Sequence, residues 1–218
     1  MAKSKDFNLD ALQALQNLTL GTNYVERWQG TPQLLPYNVS THAYNCAMLY
    51  MQLCFVCQQA MNARLLGALL VHDNMESLTG DLLAPSKDAA PESWDSIEDE
   101  VQSRWAKDNK IYRTMMQAFV PIESDFPDLV HTEKSLHLIK IIDMLEFLLH
   151  AQQEYRAGNR NAKVLDGLLY GGASLNRRLN TAQRTFSDDE KVLDLCSCIR
   201  YYYNRQVRDL GLNDAYLV

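Results

Sequence analysis

No apolar run in the 218-residue sequence approaches the roughly 20 residues that a helix needs to cross a bilayer, so a membrane span is not expected. Basic charge is not in excess either. Lys and Arg number 21 against 27 Asp and Glu, a formal net charge of −6, which excludes a surface built to coat a nucleic-acid polymer. The opening MAKSKDFNLDAL has two lysines but no apolar stretch or small-residue cleavage site after them, so the expected compartment is the cytoplasm. No segment alternates apolar and polar residues with a period of two, and no unit repeats at a fixed spacing.

Cysteine is sparse and odd in number. Four of the five residues form two close pairs, Cys54 with Cys57 in CFVC and Cys196 with Cys198 in CSC. Both pairs sit inside helix-patterned apolar segments, without the turn residues that shape a zinc knuckle. They read as small buried hydrophobes.

What remains is helix. Ser40 is placed to cap a helix through THAYNCAMLYMQLCFVCQQAM, with Cys46, Tyr50, Leu53 and Cys57 on one stripe. Asn62 is placed to cap the next, ARLLGALLVHDNMES, which stops before Thr79-Gly80. Pro91 suits the first turn of a helix carrying Trp94, Ile97, Val101 and Trp105. Thr132 opens a long helix that runs to Gly158. A further helix over NAKVLDGLLYGGASLNRRLN is weakened by Gly171-Gly172, and Ser187 with Glu190 makes a capping box before the last one. Connectors are expected near 29–38, 79–91 and 121–128. The reading is a single all-α domain over residues 1–218, with helices after 160 part of the same unit.

Against that apolar background a few polar residues stand out. GALLVHDNMESLTGD sends a core-like run straight into His72-Asp73, with Glu76 and Asp81 behind. On a continuous helix Glu76 shares a face with both His72 and Asp73, whereas those two diverge by about 100° and converge only by flanking one object. Asp143 interrupts LIKIIDMLEFLL, where an ionised carboxylate needs a strong partner. His42 lies in the first turn of its helix. Two imidazoles and two carboxylates around one divalent cation account for all four placements. Taken singly, a core histidine more often bonds a backbone carbonyl, and His131, His137 and His150 are read in that way.

His42, then His72-Asp73, then Asp143 resembles the H…HD…D pattern of the HD-domain metal-dependent phosphohydrolases. The blocks ERWQG, PYNVSTHAYNCAMLY, LLVHDNMESLTGDLLAPSK and EKSLHLIKIIDMLEFL…AGN are similar, in order, to bacterial 5'-deoxynucleotidases of the YfbR type, over roughly Val25 to Asn159. The resemblance implies a helical HD-domain bundle that hydrolyses 2'-deoxyribonucleotides at the bond between the 5' oxygen and the α-phosphorus. A monophosphate substrate, or a triphosphate as in related phage dATP triphosphohydrolases, fits equally. It further implies His42, His72, Asp73 and Asp143 as ligands of cobalt, manganese, iron or zinc, a mixed nitrogen and oxygen set. Glu76 is implied as general acid/base, Asp81 as a positioner of water or sugar hydroxyls, Arg27 and Lys87 as phosphate contacts, and Trp28 as the aromatic that excludes a 2'-hydroxyl. Homo-oligomers, dimeric or hexameric, are the family habit. Gln33, Tyr37 and Asn38 offer polar contacts but no cation beside the phosphates, whereas Arg64, Arg177 and Arg178 offer charge. The competing functions are hydrolysis of a cyclic or signalling nucleotide and a non-catalytic nucleotide-binding module.

Overall fold

Asn38 begins the helix that carries the first histidine. Its backbone is extended (φ −127°, ψ 167°) and its side-chain oxygen accepts the Thr41 N–H at 2.8 Å, so α2 runs Val39–Val56. The start lies ahead of the Ser40 cap that the sequence predicts, because Asn38 is already held extended by a lone bridge to Glu26. The structure, a computed structural model, describes residues 9–81, 90–108 and 129–218. Lys87, the connector at 121–128, most of that at 79–91 and the side chains of Trp94 and Trp105 lie outside the described residues.

Every regular element described is helical. α1 (Leu9–Gly21) and a 3-10 turn (Thr22–Tyr24) precede α2; α3 is Ala63–Val71 and α4 is Glu76–Thr79. α5 (Pro91–Asp108), α6 (Leu129–Arg156), α7 (Ala162–Thr185), α8 (Glu190–Asp209) and a final 3-10 turn (Asp214–Tyr216) follow. No described helix is long and apolar enough to cross a membrane.

Asn62 caps α3 as expected, accepting the Arg64 and Leu65 N–H groups. The helix does not, however, continue through His72 and Asp73. The Asn74 N–H bonds to Val71 O and the Glu76 N–H to Asp73 O, each at 3.0 Å, so the chain tightens into three-residue turns before α4. Gly80 (φ 76°) supplies the left-handed residue that ends α4. α8 is capped by Asp189 rather than Ser187. Asp189 accepts the Lys191 and Val192 N–H groups at 3.1 and 3.2 Å and also pairs with Lys134.

α6 and α7 run antiparallel as the central pair. Gly171 and Gly172 do not weaken α7: Gly171 is how it gets close to α6, and Gly172 faces Tyr203 of α8, whose hydroxyl would lie 3.2 Å from an added Cβ. A Cβ added at Gly171 would lie 2.7 Å from Leu148 Cδ2, and one at Gly167 would lie 2.8 Å from the Trp28 ring. Ile141, Ile142, Leu145 and Leu148 of α6 join Leu168, Leu175 and Leu179 of α7, Leu65 and Leu69 of α3 and Ile199, Tyr203 and Val207 of α8 in one buried cluster. Each such side chain contributes about 1.5–3 kcal/mol by leaving water. Cys46, Cys54 and Cys196 are buried within the bundle, Cys57 and Cys198 are half-buried, and all five are free thiols.

The remaining face of α6 is polar. Asp143, Glu146, His150 and Glu154 follow at steps of three, four and four, one stripe down the helix. Its lower end holds the loop between Val25 and Val39. Arg27 N–H bonds to Tyr37 O and Val39 N–H to Val25 O, each at 3.0 Å, closing the base of the loop. Buried Glu154 then accepts the Leu34 N–H at 2.9 Å, the Leu35 N–H at 2.6 Å and the Asn159 amide at 2.6 Å. Burial pushes the Glu154 pKa up, but those donors outweigh it and the net shift is downward. A lowered pKa means stability that is present above the unfolded value and is lost as pH falls through the native one. Glu154→Gln should therefore cost about 1–3 kcal/mol at neutral pH. Thermal melts should show the gap to wild type narrowing as the pH drops below about 4. A pH-independent gap would contradict this role.

Candidate metal centre

Three segments meet at one point. His42 comes from the first turn of α2, His72 and Asp73 from the turn after α3, and Asp143 from mid-α6. One ligand atom from each of the four lies within 4.8 Å of the others. The break in α3 makes this possible. The three-residue turn swings Asp73 round so that its Oδ2 lies 3.4 Å from His72 Nε2 and 3.5 Å from His42 Nε2. Asp143 Oδ1 closes the group, 3.1 Å from His42 Nε2.

Both rings aim Nε2 inward. His72 Nδ1 lies 2.8 Å from Leu69 O and so carries the proton it donates there. His42 Nδ1 lies 2.5 Å from Glu146 Oε2 and donates likewise. Each Nε2 is then the nitrogen left for a metal, and the two lie only 3.3 Å apart, beside two carboxylates. Burial and Arg27 lower the His42 pKa, but its acceptors, Asp143 at 3.1 Å among them, outweigh both and raise it well above its ordinary value, so without a metal Nε2 carries a proton that a cation must displace. Four electron-rich groups facing one another repel unless a cation sits among them. Two nitrogens and two oxygens on fixed elements match a divalent transition metal. The donor set fits.

Without a metal, Arg27 and a protonated His42 supply the positive charge. The Arg27 guanidinium pairs with Asp73 and lies 3.8 Å from both Glu76 Oε2 and Asp143 Oδ1. Burial works against charge on Asp73 and Asp143. Nevertheless His72, Arg27 and His42 hold the Asp73 carboxyl below its ordinary range, and His42 and Arg27 do the same for Asp143. The Cys46 thiol, 3.6 Å from His42 Nε2, is pushed up to about 11 by burial and stays protonated. It is a neutral neighbour of the four.

The other sequence-marked residues fall as follows. Glu76 is buried beside Arg27, at the start of α4. Trp28 is 7% exposed, with its ring edge-on to Phe147 and His150 at centroid separations of 5.2 and 6.1 Å. Its backbone is left-handed (φ 58°), and its N–H bonds to Asp81 Oδ2 at 3.1 Å. Asp81 thus holds the turn that presents Arg27. Gln33 donates to Arg27 O at 2.8 Å, and Tyr37 donates to Glu146 at 2.6 Å. Arg177 and Arg178 line a cavity of about 550 Å³ with His137, Lys140 and Met144, and none of the four metal-site residues lines it. Arg64 is exposed in the first turn of α3.

Two carboxylates escaped the sequence reading, Glu146 and Glu154. The test that singled out Asp143, a charge inside LIKIIDMLEFLL, applies equally to Glu146 three residues on. Spacing from Asp143 by three, seven and eleven would have marked Glu146, His150 and Glu154 as one face. His150, read as a structural histidine, stacks on Tyr37 at 3.8 Å within that stripe.

No curated protein matches the sequence. Among solved structures, the chain is similar to an HD phosphohydrolase, DatZ, of cyanophage S-2L, bound to dA and one catalytic Zn2+ ion. The TM-score is 0.56 at 20% identity, over 89% of this chain and 95% of that one, a likeness of fold. The family described as 5'-deoxynucleotidase YfbR-like matches residues 14–166, well over half of the chain and a span that holds all four residues of the cluster. The chain belongs to the YfbR-like 5'-deoxynucleotidase family.

Proposed function

We propose that the chain hydrolyses 2'-deoxyribonucleoside 5'-monophosphates to deoxynucleoside and phosphate, with a divalent metal held by His42, His72, Asp73 and Asp143. The observation that carries the reading is the convergence of those four ligand atoms beside a buried arginine. Family membership supports the substrate class, and the zinc held by the phage structure supports a transition metal. Cobalt, manganese and iron suit the same donors.

A bound cation supplies Lewis acidity to a phosphoryl oxygen and acidifies a water. The protein's own groups do the rest. Arg27 exchanges its carboxylate partners for phosphate oxygens, which its guanidinium can grip in bidentate fashion. Glu76, next to Arg27, takes the proton of the attacking water and returns it to the departing 5' oxygen. Asp81 fixes the Trp28 backbone, so the indole offered to the sugar and the guanidinium offered to the phosphate move together. An indole against C2' leaves a ribose hydroxyl without space or partners. A cytoplasmic homo-oligomer belongs to the same proposal.

The purified protein, supplied with manganese or cobalt, should be assayed against deoxy- and ribonucleoside mono-, di- and triphosphates, identifying the phosphate species released. Orthophosphate from deoxymonophosphates, with Glu76→Gln slower by about 10²-fold or more, is the expected result. Triphosphate release would move the reading to triphosphohydrolase. Turnover confined to cyclic or ribonucleotides would overturn it.

Arg27 gives a separate test. Because it neutralises the carboxylates without being a ligand, Arg27→Ala should lower the Tm of the chelator-treated protein and leave metal affinity equal or tighter. Weaker metal binding in that variant would contradict the assignment.

A further inference from the structure

We infer that Glu146 is a positioning residue: it fixes the proton of His42 on Nδ1 and so sets how tightly the site holds its cation. The inference rests on the metal reading above and concerns a residue outside the four ligands.

His42 is fully buried, so nothing but protein decides which of its nitrogens carries the proton. Glu146 is itself 4% exposed and is surrounded by donors. Its Oε2 lies 2.5 Å from His42 Nδ1 and accepts the Tyr37 hydroxyl at 2.6 Å, while its Oε1 accepts the Asn45 amide at 2.9 Å. Three donors on two oxygens, with no acceptor needing a proton from it, fit a carboxylate rather than a carboxylic acid. The Nδ1 proton is then committed to Glu146, which leaves Nε2, turned toward His72 and Asp143, as the nitrogen that a metal would take.

The two imidazoles differ in this respect. His72 gives its Nδ1 proton to a backbone carbonyl, Leu69 O, whereas His42 gives it to a full negative charge. An anionic partner makes the opposite nitrogen more basic and the ring a better donor to a metal. Glu146 also follows Asp143 by one helical turn, so a single helix delivers one ligand and orients another. Tyr37 holds the far side, its ring stacked on His150 at 3.8 Å with planes 9° apart. The carboxylate is locked by its neighbours and locks the ring in turn.

The test compares Glu146→Gln and Glu146→Ala with wild type, titrating cobalt and manganese into chelator-treated protein and following the cobalt visible spectrum. Gln keeps an acceptor for the Nδ1 proton and removes the charge; Ala removes both. The metal dissociation constant should rise by about 10–100-fold in Glu146→Ala and by less in Glu146→Gln. The spectrum of the Ala variant should shift at full occupancy, and saturating metal should restore most of kcat. Affinities within about twofold of wild type in both variants, with an unchanged spectrum and only a lower Tm of the metal-free protein, would make Glu146 a structural residue and overturn the inference. Absence of cobalt binding to wild type would overturn the metal reading, and this inference with it, on separate grounds.

Discussion

Two carboxylates and two imidazole nitrogens held within 4.8 Å of one another are the constraint on which the rest of the structure depends. Such a group is unstable alone: each ion loses water on burial, and its neighbours repel it. A positive charge must be present in every state of the protein. Without a metal, a protonated His42 beside Asp143 and Arg27, which pairs with Asp73 and lies near Asp143 and Glu76, provide it. In the proposed function a divalent cation would replace part of that role and free the guanidinium for an anionic substrate. Metal and phosphate binding would then be linked through one side chain.

The fold serves this arrangement at several places. α3 stops at Val71, so the next two residues face the same point instead of diverging on a helix. The loop carrying Arg27 is tied at its base to Tyr37 and Val39 and along its length to Glu154. The Asp81 carboxylate holds the left-handed Trp28, whose ring presses on Gly167 of α7. Small residues on α7 thus let the central helix pair approach and make room for the turn next to Arg27.

Much of this was legible in the sequence, and the exceptions have physical causes. Helix periodicity gave the all-α class because apolar spacing survives whatever the neighbours do. The four clustered residues were visible as charges in apolar surroundings, and the family blocks supported them. Helix starts were missed by two residues at Ser40 and at Ser187, since Asn38 and Asp189 were equally able caps and tertiary contacts chose between them. The break at His72 was invisible because the local sequence favours helix and only convergence on a common centre favours the turn. Gly171 looked like a weakness because propensity counts a missing side chain as a loss, whereas packing against Leu148 requires it. Glu146 and Glu154 share the Asp143 face by spacing, so their place was legible; their partners were not, because nothing local announces that Tyr37, Asn45 and the backbone of Leu34 and Leu35 will meet them.

The central claim is that four residues hold one cation. An anomalous-scattering crystal structure of the protein soaked in zinc or manganese tests it directly. The account predicts a single strong peak bound by His42 Nε2, His72 Nε2 and one oxygen each of Asp73 and Asp143, at about 2.0–2.2 Å for zinc. Arg27 should then be drawn away from Asp73. A peak elsewhere, or none at these four side chains with metal in excess, would contradict it.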